Sequence, residues 1–141
     1  MDNKKISVHG MKLHPYPFDR IKSGQKIDEL RLNDEKRKLI KIGDQIEFSR
    51  RPDLKEKLIV KVISLNTYPN FVDLYEGVKK RYPTSDKDNF IEGLRQYYSP
   101  EDEVKFGALE IGIRLVWLKI KKPSVGSHAR RFWSKNNLSP S

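Results

Sequence analysis

The sequence predicts an α+β fold in a single domain of 141 residues. Two patterns and one exclusion lead there. Leu109, Ile111, Ile113 and Leu115 alternate with Glu110, Gly112 and Arg114, which is the period of a strand with one buried face. Short segments between such strands carry helix-entry signals. The clearest is Ser99-Pro100-Glu101-Asp102, a capping hydroxyl followed by proline and by acids that favour the helix dipole. The chain has no cysteine, which excludes a disulfide scaffold, a thiolate metal site and a cysteine nucleophile, so the core must come from packing alone.

Lys5 to Leu13 reads as the first strand, with Ile6, Val8 and Met11 turned inward. Pro15 and Pro17 lead into a short helix over Phe18–Lys22, stopped by Gly24, with Phe18 and Ile21 on its buried side. Lys26 to Leu32 reads as a strand. Asn33 or Asp34 then caps a short helix through Arg37 and Leu39. Gly43-Asp44 is a turn into a strand carrying Ile46 and Phe48. Arg50-Arg51-Pro52-Asp53 is a loop, because proline cannot continue a ladder. Leu58 to Leu65 is apolar on both faces around Lys61 and reads as a central, mostly buried strand. Pro69-Asn70 opens a helix containing Phe71, Leu74 and Tyr75. Ser85 caps another that runs to Gln96, with Phe90, Ile91 and Leu94 as its apolar stripe. From Pro123 onward Pro, Gly, Ser and Asn dominate, and little regular structure is expected.

The net charge of +10 is unevenly distributed. No acid follows Glu110, while Arg114, Lys119, Lys121, Lys122, Arg130, Arg131 and Lys135 contribute +7; the other 22 basic and 19 acidic residues leave +3. A concentrated basic segment attracts polyanions, RNA or DNA as the usual partner, and Trp117, Phe132 and Trp133 among its charges suit stacked bases. The bland alternative is a solubilising tail. Met1-Asp2-Asn3-Lys4-Lys5 lacks a signal-peptide core, and the longest apolar run, Leu115-Val116-Trp117-Leu118, is far short of a membrane span. A cytoplasmic protein with no membrane partner is expected. His9, His14 and His128 have no ligand spacing, so neither a metal nor another cofactor is expected.

Gly24-Gln25-Lys26-Ile27-Asp28-Glu29-Leu30-Arg31 is the most informative stretch, with charges interleaved among aliphatic residues. Extended, it puts Ile27, Glu29 and Arg31 on one face and Lys26, Asp28 and Leu30 on the other. Glu29 and Arg31 are thus neighbours able to pair, and Lys26 joins them only through a bend near Ile27. The pattern has two readings: a pair held beside a functional site, or a solvated edge strand with an ion pair of little worth.

With the pieces around it, this stretch resembles the ASCH domain family of the PUA-like superfamily. The pieces, in order, are His9-Gly10-Met11-Lys12-Leu13, Pro17 through Ser23-Gly24, the Gly-x-Lys-x-x-Glu-x-Arg signature, Asn33-Asp34 and Ile42 through Phe48. Tyr97-Tyr98-Ser99-Pro100-Glu101-Asp102-Glu103 and Phe106-Gly107 follow. The resemblance spans residues 5 to 116. It implies a small PUA-like mixed β-barrel of five to six strands with flanking short helices. Residues 1–122 would be the domain and 123–141 a basic, flexible tail.

The resemblance implies an RNA- or nucleotide-binding cleft around the signature. Lys26 is then a phosphate or substrate contact, Arg31 a planar recognition group, and Glu29 the residue that orients them. Lys12 at the end of the first strand joins them, and Tyr68 and Tyr98 are candidate binding aromatics. The alternative class is a small hydrolase of modified nucleosides. Some ASCH-like proteins are N4-acetylcytidine-type amidohydrolases, whose pattern has a lysine, a threonine three residues on and a later glutamate. Lys26 matches the first position, but Glu29 stands at the second, which removes the expected hydroxyl nucleophile. If the protein is an enzyme, Lys26 and Glu29 are the catalytic candidates. Whether it is one is left open by the sequence.

Overall fold

The computed structural model describes residues 5–119. Five strands and four α-helices follow one another as β1 (Val8–Leu13), α1 (Pro15–Lys22), β2 (Asp28–Leu32), β3 (Gln45–Arg50), β4 (Lys57–Tyr68), α2 (Phe71–Val78), α3 (Lys87–Arg95), α4 (Pro100–Phe106) and β5 (Ala108–Lys119). Single 3-10 turns occupy Arg37–Leu39 and Lys79–Arg81. The sheet order is β1-β3-β4-β5-β2, with β1 parallel to β3 and antiparallel ladders joining β3 to β4 and β2 to β5. The expected α+β class holds, with five strands among the described residues where five to six were expected. Among the described residues, 5–27, 43–62 and 113–119 form one compact unit, and 28–42 and 63–112 a second. The tail expected at 123–141 lies outside the described residues.

In the first unit, alternation builds the core. Ile46 and Phe48 of β3 and Leu58, Val60 and Val62 of β4 are fully buried, and Met11 and Leu13 of β1 join them. Helix α1 packs against β3 through Phe18 and Ile21. Pro15 occupies its first turn, and Gly24 ends the segment at φ +85°, where a side chain would be strained. Two expectations need correction here. Ile6 and Val8 are exposed and the strand starts at Val8, because Met11 and Leu13 claim the core face and Val8 has the opposite parity. The β4 strand is internal, as expected, but Ile59 is only half-buried and Lys61 and Ile63 are exposed, so it buries one face rather than two.

In the second unit, α2 and α3 cover β2 and β5. Leu32, Phe71, Leu74, Val78, Ile91 and Ala108 form the core, with Phe90, Leu94 and Tyr98 packed around it. Asn70 caps α2 by accepting from the Asp73 amide at 2.8 Å, and Ser99 caps α4 by accepting from Asp102 at 3.1 Å. The cap of α3 is Asp86 rather than Ser85; a carboxylate one position on accepts from the Asn89 amide at 2.9 Å. The first half of β5 is buried on both faces, Glu110 and Gly112 included, where alternation had indicated one. Gly107 turns the chain from α4 into β5 at φ +74°; a Cβ there would stand 2.6 Å from the Tyr68 carbonyl oxygen.

Candidate functional site

Chain geometry at the end of α1 sets the start of the signature. The amides of Gln25 and Lys26 both donate to the Arg20 carbonyl, at 2.9 and 3.0 Å, so Lys26 belongs to the turn that closes the helix rather than to β2. Ile27 is exposed, and its carbonyl accepts from the Ile113 amide at 2.9 Å. Lys26 lies in the first unit, Glu29 and Arg31 in the second.

Glu29 and Arg31 share a face of β2 and pair, with Arg31 Nε donating to Glu29 Oε2 at 2.8 Å. Both are largely withdrawn from water, their side chains 8% and 15% exposed. Burial alone would lower the Arg31 pKa; the Glu29 carboxylate and then Tyr98, each also a hydrogen-bond partner, hold it above its ordinary value. The guanidinium is therefore a fixed cation with its plane set from two sides.

The opposite face of β2 carries a second charged group. Asp28 and Glu110, diagonal neighbours across the β2–β5 ladder, are 2% and 5% exposed. Arg81, from the 3-10 turn after α2, bridges them; its Nε meets Asp28 Oδ2 at 3.1 Å and its terminal nitrogen meets Glu110. The Tyr82 hydroxyl donates to Asp28, and Asn66 Nδ2 donates to Glu110 Oε1 at 3.3 Å. Two carboxylates in an apolar layer are tolerable only with such compensation.

The sequence matches the ASCH domain family over residues 11–116. The chain belongs to the ASCH domain family. Among solved structures, the crystal structure of hypothetical protein PH0355 is 34% identical, covers 77% of this chain and 99% of its own, and superposes with a TM-score of 0.66. The solution structure of protein PF0455 from Pyrococcus furiosus is 30% identical, covers 77% and 97%, and gives 0.59. A crystal structure of a ZmASCH variant from Zymomonas mobilis is only 13% identical but covers 92% and 96% with a TM-score of 0.55, which shows the shared fold. No curated protein matches the chain. The fold is the PUA-like one of the ASCH family, for which RNA binding is the general assignment.

The remaining expected site residues of this ASCH domain fall in different settings. Lys12 is exposed on β1, in register with Ser49 of β3. Tyr98 packs its ring 5.7 Å from that of Phe71 and serves Arg31. Tyr68 ends β4 with its hydroxyl toward Glu110. His9 bonds Asp44 Oδ2 through Nε2 at 2.9 Å, while the Ser7 amide donates to the other oxygen. Sequence reasoning missed Arg81, Tyr82 and Glu110. For Glu110 a signal existed, a charge between Leu109 and Ile111 in an otherwise apolar run; for Arg81, fifty-three residues from Asp28, there was none. Among the described residues, no cluster of three or more potential ligands could hold a metal ion, and no helix is long and apolar enough to cross a membrane.

Proposed function

We propose that this ASCH domain binds RNA or a nucleotide in the cytoplasm, with Arg31 as the group that reads the ligand. The observation that supports this is the Glu29–Arg31 pair at 2.8 Å, held by Tyr98 in a nearly dry position inside the signature. A guanidinium whose plane is already set loses little entropy on meeting a phosphate or a base edge. In this reading Glu29 and Tyr98 orient Arg31, and Tyr68 acts through Glu110, all within the second unit. Glu29 stands where the amidohydrolase pattern has threonine, so turnover of N4-acetylcytidine is not part of the proposal.

Fluorescence anisotropy with a short labelled RNA tests it, comparing the native chain with Arg31→Lys. Lysine keeps the charge and loses the planar fork, so binding should weaken by about 1–3 kcal/mol and any base preference should relax. No detectable binding at low salt by the native chain would remove the reading. Release of cytidine from N4-acetylcytidine, abolished by Lys26→Ala, would replace it with the hydrolase.

A further inference from the structure

The outer face of the β1–β3–β4 ladder in the first unit carries charge that the signature does not use. The strand registers place Lys12, Ser49 and Lys57 in one cross-strand row, Gly10, Glu47 and Ile59 in the next, and Val8, Gln45 and Lys61 in the third. These side chains lie opposite the buried row partners Met11, Phe48 and Leu58. Lys12 and Lys61 are exposed; Lys57 is half-buried and donates through Nζ to Ser49 Oγ at 2.9 Å. Glu47 is the one acid in these rows, so the face is net positive. A Cβ on Gly10 would meet nothing within 4 Å, so the middle row lies open to a close approach.

We propose that this face is a second contact surface of the domain, one that takes the sugar-phosphate backbone of single-stranded RNA through Lys12, Lys57 and Lys61. The inference rests on the RNA-binding reading above and extends it to residues outside the signature. Spacing selects the ligand class. Lys12 and Lys57 stand two strands apart, about 10 Å, and Lys57 and Lys61 four residues apart along one strand, about 13 Å. No single phosphate reaches all three, whereas a polymer brings charge at repeated intervals. Gln45, half-buried between Val8 and Lys61, adds a hydrogen-bonding group that suits phosphate and ribose oxygens, while Ser49 is buried and serves to hold Lys57. The apolar members of these rows, Val8 and Ile59, stand apart from one another and do not form the continuous apolar face that an anionic lipid surface would bury.

The test measures the salt dependence of RNA affinity for the native chain, for Lys57→Gln/Lys61→Gln, and for a charge-matched control, Lys36→Gln/Lys80→Gln, at exposed lysines of the second unit. Removing two phosphate contacts on a single strand should flatten the slope of log K against log salt by about 1.4, at roughly 0.7 per contact. The control should keep the native slope. A Lys57→Glu/Lys61→Glu variant with a native melting curve should lose affinity further. Equal slopes in the patch variant and the control would overturn the surface while leaving the signature reading intact. Absence of RNA binding in the native chain at low salt would instead overturn the signature reading, and this surface with it. Loss of binding only to phosphatidylserine vesicles, with RNA affinity unchanged, would assign the face to a lipid surface and overturn the inference.

Discussion

The two compact units differ in how much charge they bury. In the first, ion pairs sit where water reaches them: Lys22 Nζ meets Glu56 at 2.7 Å and Arg50 meets Asp19 at 3.2 Å, both pairs substantially exposed. Its one buried carboxylate among the described residues is Asp44, satisfied by the Ser7 amide and His9. The second unit buries Asp28, Glu29, Glu103 and Glu110 and answers them with Arg81, Arg31 and Arg95. The same chemical pair therefore has different consequences. A solvated pair gains little, because water screens it and each partner is well hydrated alone. A buried pair also gains little net, but losing one partner strands the other in a medium that cannot solvate it.

The sharpest way to break this contrast is Arg81→Ala. It leaves Asp28 and Glu110 without their shared cation, and urea unfolding should show a loss of about 2–3 kcal/mol. That is somewhat less than a fully buried pair would lose, since part of the Arg81 side chain is open to water. A loss below about 1 kcal/mol would mean that water already reaches the two carboxylates and that the contrast between the units is overstated.

Glu103→Gln tests a single buried acid and adds pH. Glu103 accepts from Arg95 at 2.9 and 3.0 Å and from the Phe71 amide at 2.8 Å, joining α4 to α3 and to the start of α2. The Arg95 hydrogen bonds lower its pKa; burial opposes them, and the Phe71 amide assists. A carboxylate with a depressed folded pKa stabilises the protein above its unfolded value, near 4.3, and that contribution disappears as pH falls through the lower folded value. At neutral pH the glutamine variant should be less stable by about 1–2 kcal/mol. The gap between the two chains should close as the native chain is acidified below about pH 4. A gap independent of pH would assign the effect to shape rather than charge.

The smallest effect belongs to the first unit. Lys22→Ala removes an exposed pair with Glu56 and should cost under about 1 kcal/mol in thermal unfolding, with the difference fading in high salt. A larger, salt-independent loss would show that this unit also relies on desolvated charge.

Local chemistry made much of the fold legible. The Asn70 and Ser99 caps, the Gly24 and Gly43 turns and the parity of Ile46 and Phe48 are written within a few residues of where they act. So was the Glu29–Arg31 pair, because strand parity alone places the two together. What failed depends on neighbours distant in sequence. Hydropathy gives Glu110 to solvent, and only Arg81, carried in by the end of α2, makes its burial tolerable. Ile6 and Val8 are apolar enough for a core, yet they share the parity of exposed Gly10 and Lys12, while Met11 takes the buried face beside Phe48 of β3. The place of Lys26 was misread for a local reason instead: the carbonyl of Arg20, six residues earlier, captures its amide for the helix end before the strand begins.

Gly107 has a consequence for how this sequence can change length. Its amide returns to the Glu103 carbonyl at 2.8 Å, its own carbonyl accepts from Asn33 at 2.9 Å, and the Tyr68 carbonyl leaves no space for a Cβ. The next residue, Ala108, opens the ladder opposite Leu32. Gly107 thereby works as the zero mark from which β5 is counted against β2. Two steps along lies Leu30↔Glu110, with Arg81 waiting on that side of the sheet. One residue inserted or removed between Gly107 and Glu110 would exchange the faces of everything after it. A deletion would turn Glu110 away from Arg81 and put Ile111 in its place among the carboxylates, and an insertion would put the residue before Glu110 there. Substitutions between these two positions are a matter of fit, whereas a change in spacing inverts the strand unless a bulge absorbs it.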